Sequence, residues 1–203
     1  MTLGPLLKRG LDLVAATAGL TACAPAMAVI AIAIKLESPG GALFVQERIG
    51  RKGRVFKLLK FRTMKDAPIR YNPDGSTRVD PNDDRVTRTG RVLRGALDEL
   101  PQLINVLRGE MSLVGPRPEM ATQRHLYEPG DERKLDVLPG LTSLPIVLGR
   151  GEIPWRQRVA LDLAYVEHWS LGLDLQIIAQ TLLMPFGIRP FEFRRVVEAT
   201  HAL

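Results

Sequence analysis

An uncharged segment of 22 residues near the N-terminus constrains the fold more than any other feature of the chain. The segment covers residues 13–34, and charged residues flank it on both sides: Lys8, Arg9 and Asp12 before it, and Lys35 after it. As one α-helix it would be about 33 Å long, close to the hydrocarbon thickness of a bilayer. The sequence therefore predicts an N-terminal helix that is long enough to enter or cross a membrane.

Three features of this segment favour a helix that enters the membrane and returns. Nine of its 22 residues are alanine, so its first half is only weakly apolar. Pro25 lies near its midpoint, where proline removes a backbone hydrogen bond and bends a helix. Basic residues lie on both flanks, and the bias of positive charge towards the cytoplasm favours keeping both ends there. We predict a re-entrant helix broken at Pro25; a helix that crosses the membrane is the alternative.

Export of the chain is a second alternative. Residues 20–23, Leu-Thr-Ala-Cys, are similar to the processing site of a bacterial lipoprotein, and the small residues at 22–26 could serve signal-peptide cleavage. Asp12 within the apolar region argues against export. The single cysteine, Cys23, excludes an internal disulfide framework and fits a reducing compartment.

The net charge of +6 indicates an anionic partner. Nucleic acid, an anionic membrane surface and phosphorylated substrates all satisfy this requirement. The basic residues are spread along the chain and only 11 aromatic residues accompany them, so no surface for stacking bases is evident. We therefore expect a membrane or a phosphorylated substrate, and no nucleic acid.

The remainder of the chain predicts one α/β domain that is mostly helical. Apolar and basic residues alternate over 42–62 around two glycines, which predicts a short β-hairpin. Residues 66–84 contain three prolines among many polar residues and predict an exposed loop.

Helical spacing of apolar residues marks three later segments. A helix is predicted within 97–107, starting near Asp98 so that Pro101 falls in its first turn. Mixed helical character covers 155–169. Residues 172–186 are amphipathic, and this helix either covers the core or lies at the membrane interface.

The adjacent acids Asp98 and Glu99 are the candidates for chemistry. Acidic side chains at the start of a helix also cap its free N–H groups and interact favourably with the positive end of the helix dipole. A structural role is therefore the simpler interpretation of the pair alone. Adjacent carboxylates are, however, what a Mg²⁺-assisted phosphoryl transfer needs: one attacks phosphorus or holds the metal, and its neighbour positions a hydroxyl.

Basic residues near these acids are candidates to neutralise a diphosphate, because guanidinium groups match the geometry of phosphate. These candidates are Lys60, Arg62, Arg94 and Arg117. Each alone could be an ordinary surface charge. Arg117 stands out because a proline on either side limits its backbone freedom.

Several common classes of site are not indicated. The three histidines show no metal-ligand spacing with one another or with Cys23. The sequence has no Walker-type glycine loop, no GxGxxG fingerprint and no Gly-x-Ser-x-Gly elbow.

Seven segments, in order along the chain, resemble the monotopic phosphoglycosyl transferases, the bacterial sugar transferases that begin glycoconjugate assembly. They cover nearly the whole chain, and seven ordered matches are far more specific than one. The segments are residues 8–12 with the following proline-centred apolar run, 46–50, 56–64, 84–88 leading into 97–103, 111–118, 139–142 and 165–171.

This resemblance implies a re-entrant membrane anchor at residues 1–36 and a catalytic domain at 37–203, on the cytoplasmic face of the bacterial inner membrane. It implies interfacial amphipathic helices and a Mg²⁺ cofactor held in part by Asp98. Asp98 would attack the β-phosphate of a UDP-sugar, releasing UMP, and polyprenol phosphate in the inner leaflet would then take up the sugar phosphate. Glu99 would orient or deprotonate a partner.

The resemblance assigns phosphate binding to Arg94 and Arg117, with Lys60 and Arg62 nearby. A catalytically idle family member that serves as a membrane-associated assembly subunit is the alternative function. The sugar, the pathway and whether the chain forms an oligomer are left open.

Overall fold

The computed structural model describes residues 3–65, 83–149 and 153–199. Within these ranges the protein is mostly helical, with two small two-stranded sheets. The helices are α1 (Leu3–Glu37), α2 (Arg88–Leu93), α3 (Gln102–Leu107), α4 (Leu144–Leu148), α5 (Trp155–Glu167), α6 (Leu171–Leu183) and α7 (Arg194–Ala199). The strands are β1 (Leu43–Ile49), β2 (Val55–Phe61), β3 (Ser112–Val114) and β4 (Gly140–Thr142). The predicted α/β, mostly helical class with a long N-terminal helix is confirmed.

Helix α1 contains the predicted apolar segment. It has 35 residues, which corresponds to about 52 Å of helix, and its helical assignment continues through Pro25. Among the described helices it is the one long and apolar enough to cross a membrane. The protein nevertheless buries only 6% of its most apolar stretch of 18 residues. So much exposed apolar surface indicates membrane association. The re-entrant course and the break at Pro25 stay predictions.

The N-terminal end of α1 is fastened to the domain by charged groups. The Lys8 ammonium donates to the Asp174 carboxylate at 2.6 Å and to the Val114 carbonyl at 3.0 Å. The Asp12 carboxylate, which is buried, accepts the backbone N–H of Leu113 at 3.0 Å. Charges at the start of the apolar helix therefore have specific partners around β3 and on α6.

The C-terminal end of α1 contacts the same domain. The Glu37 carboxylate accepts the backbone N–H of Thr89 at 2.9 Å, and Ile34 packs in a cluster with Phe61. Export as a lipoprotein would cleave the chain before Cys23 and remove the contacts at the N-terminal end. The structure therefore argues against that alternative.

The hairpin and the helices α5 and α6 agree with the predictions from the sequence. Strands β1 and β2 pair antiparallel from Leu43 opposite Phe61 to Ile49 opposite Val55. The helix predicted at 155–169 is α5, and the one at 172–186 is α6 followed by a 3₁₀ turn at Met184–Phe186. The predicted loop at 66–84 lies outside the described residues except for its last two positions.

Helix α6 covers the core, as one of its two predicted roles requires. Leu173 and Ile177 are buried in the largest apolar cluster, together with Tyr165 of α5. Leu175 and Leu182 of the same helix are exposed. A role of this exposed set at the membrane interface stays a prediction.

The helix predicted to start near Asp98 begins later, at Gln102. Pro101 is the residue directly before α3, where its missing N–H removes no helical hydrogen bond. The preceding residues, Leu97–Glu99, form a 3₁₀ turn in which the Leu100 N–H reaches the Leu97 carbonyl.

A close glycine contact joins the two short parallel strands. A side chain on Gly140 would place its Cβ only 2.1 Å from the backbone nitrogen of Gly115, so this approach requires glycine. Next to this contact, the Gly140 N–H donates to the Pro116 carbonyl at 2.9 Å. The turn that carries Arg117 is thereby held against β4.

We predict that Asp174→Ala lowers the free energy of unfolding by roughly 3 kcal/mol. The change leaves three donors without their buried acceptor: the Lys8 ammonium, the Tyr165 hydroxyl and the Trp169 indole N–H. Unfolding by urea in detergent, followed by tryptophan fluorescence, measures the change. Asp136→Ala removes an exposed aspartate and is the matched control. Equal unfolding midpoints for the two variants would contradict the prediction.

Candidate active site

Four of the predicted site residues lie together at the acidic turn. Asp98 and Glu99 lie on the 3₁₀ turn between α2 and α3. The Glu99 carboxylate accepts a hydrogen bond from the Lys60 ammonium at 2.6 Å, and its Oε1 lies 3.9 Å from the Arg117 guanidinium. The hairpin, the acidic turn and the turn after β3 therefore bring two cations to one carboxylate.

Asp98 lies beside this ion pair and is partly buried. Its Oδ1 accepts the backbone N–H of Gly95 at 3.2 Å, and Gly95 has a φ of 107°, which favours glycine. Burial raises the pKa of Asp98; the positive charge of Lys60 opposes this rise and the carboxylate of Glu99 adds to it. A partly desolvated carboxylate with a raised pKa is typical of a functional group.

The charge of Lys60 depends on its neighbours. Burial lowers the pKa of Lys60, whereas the carboxylate of Glu99 acts in the opposite direction. The positive charge of Arg117 also lowers the pKa of Lys60, since a second cation disfavours the ammonium form. Glu99 therefore keeps two mutually repelling cations close together.

Arg117 extends from a turn that the neighbouring elements hold in place. Pro116 and Pro118 flank it, and the Arg48 guanidinium on β1 donates to the Pro118 carbonyl at 3.0 Å. The Arg117 side chain is 38% exposed, so it can reach a ligand. The sequence-based expectation that prolines limit this residue agrees with the geometry.

Lys60, Glu99 and Arg117 line a small cleft with a basic wall; Asp98 neighbours Glu99 but does not line the cleft. Its lining residues are Arg48, Leu58, Lys60, Glu99, Gln102, Arg117, Pro118, Gly140 and Leu141. Arg48 and Gln102 were not predicted from the sequence as site residues. Both lie in the segments that resemble the family, and that was the available signal.

The structure does not place Arg62 in this cleft. Its guanidinium is buried and donates to the carbonyls of Ser38 and Pro39, just after α1. In this arrangement the Arg62 guanidinium holds the segment directly after α1 in place by hydrogen bonds. Its predicted contact with phosphate stays a prediction.

Arg94 also lies outside the lining of the cleft. Its guanidinium approaches the sulfur of Met64 at 3.7 Å. It contributes to a separate groove of about 270 Å³ whose wall is mostly apolar and includes Leu97 and Met184. Because Gly95 and Leu97 belong to the same groove, it adjoins the turn that carries Asp98.

The acidic pair offers one carboxylate, that of Asp98, to a magnesium ion that a diphosphate would bring with it. Mg²⁺ is usually held by one or two carboxylates together with substrate phosphates and water. Over the described ranges no cluster of three or more His, Cys, Asp or Glu side chains is present. Asp98 could supply one carboxylate, and Glu99 is already engaged by Lys60.

Comparison with known proteins gives the family of the chain. The sequence profile described as "Bacterial sugar transferase" matches residues 3–187. The chain belongs to the bacterial sugar transferase family. The matched region includes α1, the cleft and the acidic turn.

Relatives in this family are similar over most of the chain. The exopolysaccharide production protein ExoY of Rhizobium meliloti is 41% identical over 193 residues, which cover 89% of this chain and 85% of the relative. A UDP-glucose:undecaprenyl-phosphate glucose-1-phosphate transferase of Caulobacter vibrioides is 47% identical, covering 87% and 68%. A transferase of the same name from Escherichia coli is 41% identical, covering 89% of this chain but 40% of the relative.

We predict that Glu99→Gln lowers the pKa of Lys60, because it removes the main charge that favours the ammonium form. More of the amine is then neutral at a given pH, so Lys60 reacts faster with an amine-specific ester. Peptide mass spectrometry after short labelling pulses measures this rate, and a series of pH values separates a change in pKa from a change in access. Glu47→Gln, at an exposed position of the same hairpin, is the control; equal titration of Lys60 in both variants would refute the prediction.

Proposed function

We propose that this protein transfers a sugar-1-phosphate from a UDP-sugar to a polyprenol phosphate through a covalent intermediate on Asp98. The observation that carries this proposal is the arrangement of Lys60, Glu99 and Arg117 around one cleft beside a partly buried aspartate. The names of two relatives, UDP-glucose:undecaprenyl-phosphate glucose-1-phosphate transferases, support the same donor and acceptor classes.

The first step is attack by the Asp98 carboxylate on the β-phosphorus of the donor. A bond forms between Oδ of Asp98 and this phosphorus, the bond to the bridging oxygen breaks, and UMP leaves with the electron pair. Lys60 and Arg117 offset the negative charge that repels a carboxylate from a diphosphate. Glu99 holds these two cations at the cleft.

The second step regenerates the aspartate. A phosphate oxygen of polyprenol phosphate attacks the phosphorus of the phosphosugar ester, and the carboxylate of Asp98 leaves. The product is a polyprenol-diphosphate sugar. The apolar groove that contains Arg94 adjoins Asp98, which supports an acceptor with an apolar chain and an anionic head.

We propose Mg²⁺ as the cofactor, with Asp98 as its protein ligand and the donor phosphates as the remaining anionic ligands. When bound, the metal supplies positive charge to the phosphates that Lys60 and Arg117 also face.

A re-entrant course of α1 is part of the proposal. A helix that crossed the bilayer would place its ends about 30 Å apart on opposite sides. Here both ends contact one domain, through Lys8 and Asp174 at the start and Glu37 and Thr89 at the end. These contacts support an anchor at one face, and the basic flanks favour the cytoplasmic one.

We predict that the full chain in nanodiscs releases UMP from a UDP-sugar over many turnovers only when polyprenol phosphate and Mg²⁺ are present; with Mg²⁺ but no lipid, release stops at about one equivalent per protein, because the ester on Asp98 is not discharged. UDP-glucose is the first donor to test. Asp98→Asn is expected to reduce this rate by roughly 10³-fold or more, because an amide cannot form the covalent ester. Chelation of Mg²⁺ by EDTA is expected to stop the release.

Asp136→Asn is the matched control, since it makes the same chemical change at an exposed position. Undiminished activity of Asp98→Asn would refute its role as the nucleophile. A folded wild-type protein that binds UDP-sugars but releases no UMP from any of them would favour the idle assembly subunit.

We predict that activity falls on the acid side at a higher pH than for an ordinary aspartate. Attack requires the charged carboxylate, and burial raises the pKa of Asp98. Because the charge of Lys60 lowers that pKa, Lys60→Met should move the acid limb of kcat/KM to still higher pH. Lys57→Met, at an exposed position of the same strand, should leave the limb in place. An acid limb that stays fixed or moves down in Lys60→Met would contradict this assignment.

A further inference from the structure

A buried side-chain amide at the cleft has no hydrogen-bond partner in the protein. Gln102 is the first residue of α3, and only 3% of its surface is exposed. Over residues 3–65, 83–149 and 153–199, no group donates to its side chain or accepts from it. Both atoms of the amide keep some accessible surface, and Gln102 lines the cleft together with Lys60 and Arg117. The amide therefore faces the space that a ligand would fill.

The other buried side-chain amides in the described part of the chain all have partners. Asn105, on the same helix, accepts the Leu59 N–H at 3.1 Å and donates to two further oxygens. Gln123 and Gln180 each accept a backbone N–H. Buried polar groups are nearly always hydrogen-bonded, because an unpaired one costs free energy. The exception at Gln102 therefore favours a role in binding.

The chemistry of the amide differs from that of the cations beside it. Lys60, Arg117 and Arg48 all line the cleft, and their charges suit the phosphate groups of an anionic ligand. Phosphate oxygens accept hydrogen bonds, so a phosphate would satisfy the NH₂ group of an amide and leave its oxygen unpaired. A glutamine side chain both donates and accepts. It matches an uncharged group that does the same.

We propose that Gln102 binds an uncharged group of the donor that both donates and accepts hydrogen bonds and lies next to the diphosphate. A UDP-sugar carries such groups in its nucleoside half, as the imide edge of uracil, and in its sugar half, as hydroxyl groups. Gln102 follows Glu99 by three residues, about one turn of chain, so this contact would lie close to the acidic turn. The inference rests on the proposed function for the identity of the donor.

The stability of two variants separates binding from a structural role. Gln102→Met keeps the size of the side chain and removes a polar group that has no protein partner, so its thermal unfolding midpoint should stay the same or rise. Asn105→Leu removes an amide with three hydrogen bonds and should lower the midpoint clearly. A loss of similar size in both variants would overturn the inference.

The first test of binding observes the Gln102 amide directly. Its NH₂ signals in solution NMR of the detergent-solubilised full chain are assigned by their loss in Gln102→Met. The chain carries Asp98→Asn, so that UDP-glucose with Mg²⁺ binds without turnover. We expect the Gln102 signals to shift on addition of this donor, and those of Gln157, an exposed glutamine of α5, to stay in place.

Fragments of the donor identify the half that the amide contacts. UMP carries the nucleoside and one phosphate, glucose-1-phosphate carries the sugar and one phosphate, and inorganic phosphate carries neither. A shift with UMP that phosphate does not reproduce assigns the contact to the nucleoside, and one with glucose-1-phosphate assigns it to the sugar. The same shift with inorganic phosphate alone would overturn the inference, and so would the absence of a shift with all four ligands.

The second test is kinetic. We expect Gln102→Met to raise KM for the UDP-sugar and to lower kcat/KM by roughly 3- to 15-fold, the range for one lost hydrogen bond. Gln157→Met should leave both values unchanged. A folded Gln102→Met variant with the KM and kcat/KM of the wild type would refute the assignment. If the wild type releases no UMP, the proposed function fails, and the NMR titration still decides whether Gln102 binds the donor.

Discussion

One buried carboxylate joins the membrane helix to the domain. Asp174 on α6 accepts hydrogen bonds from Lys8, from the Tyr165 hydroxyl at 2.7 Å and from the Trp169 indole at 3.1 Å. Lys8 and Tyr165 also share the carbonyl of Val114, the last residue of β3. Each of these hydrogen bonds offsets part of the hydration that the buried carboxylate loses. The start of α1, the end of β3 and the α5–α6 corner are thus held at one point.

The position of the cleft follows from this junction. The chain that leaves β3 at Val114 makes the turn that carries Arg117, so the same anchor that holds the membrane helix lies three residues from a cation of the site. Arg117 reaches Glu99, and Lys60 meets the same carboxylate from the hairpin. A site whose cationic turn is tied to the membrane helix suits an acceptor whose phosphate lies at the membrane surface.

Charge balance around Glu99 keeps the cationic side chains of the cleft together. Two cations that face each other would separate in the absence of a carboxylate between them. Glu99 keeps Lys60 and Arg117 close, and the cleft remains basic because Arg48 also lines it.

Local patterns in the sequence determined the apolar N-terminal helix, the hairpin, α5 and α6, because each depends on neighbours within one element. Only the tertiary structure decided which cations reach the acidic pair Asp98 and Glu99. Arg62 lies two residues after Lys60, yet its guanidinium binds carbonyls beside α1. Arg94 precedes the acidic turn but points to a different groove. The direction of a long basic side chain depends on partners distant in sequence, and the spacing of residues along the chain does not contain that information.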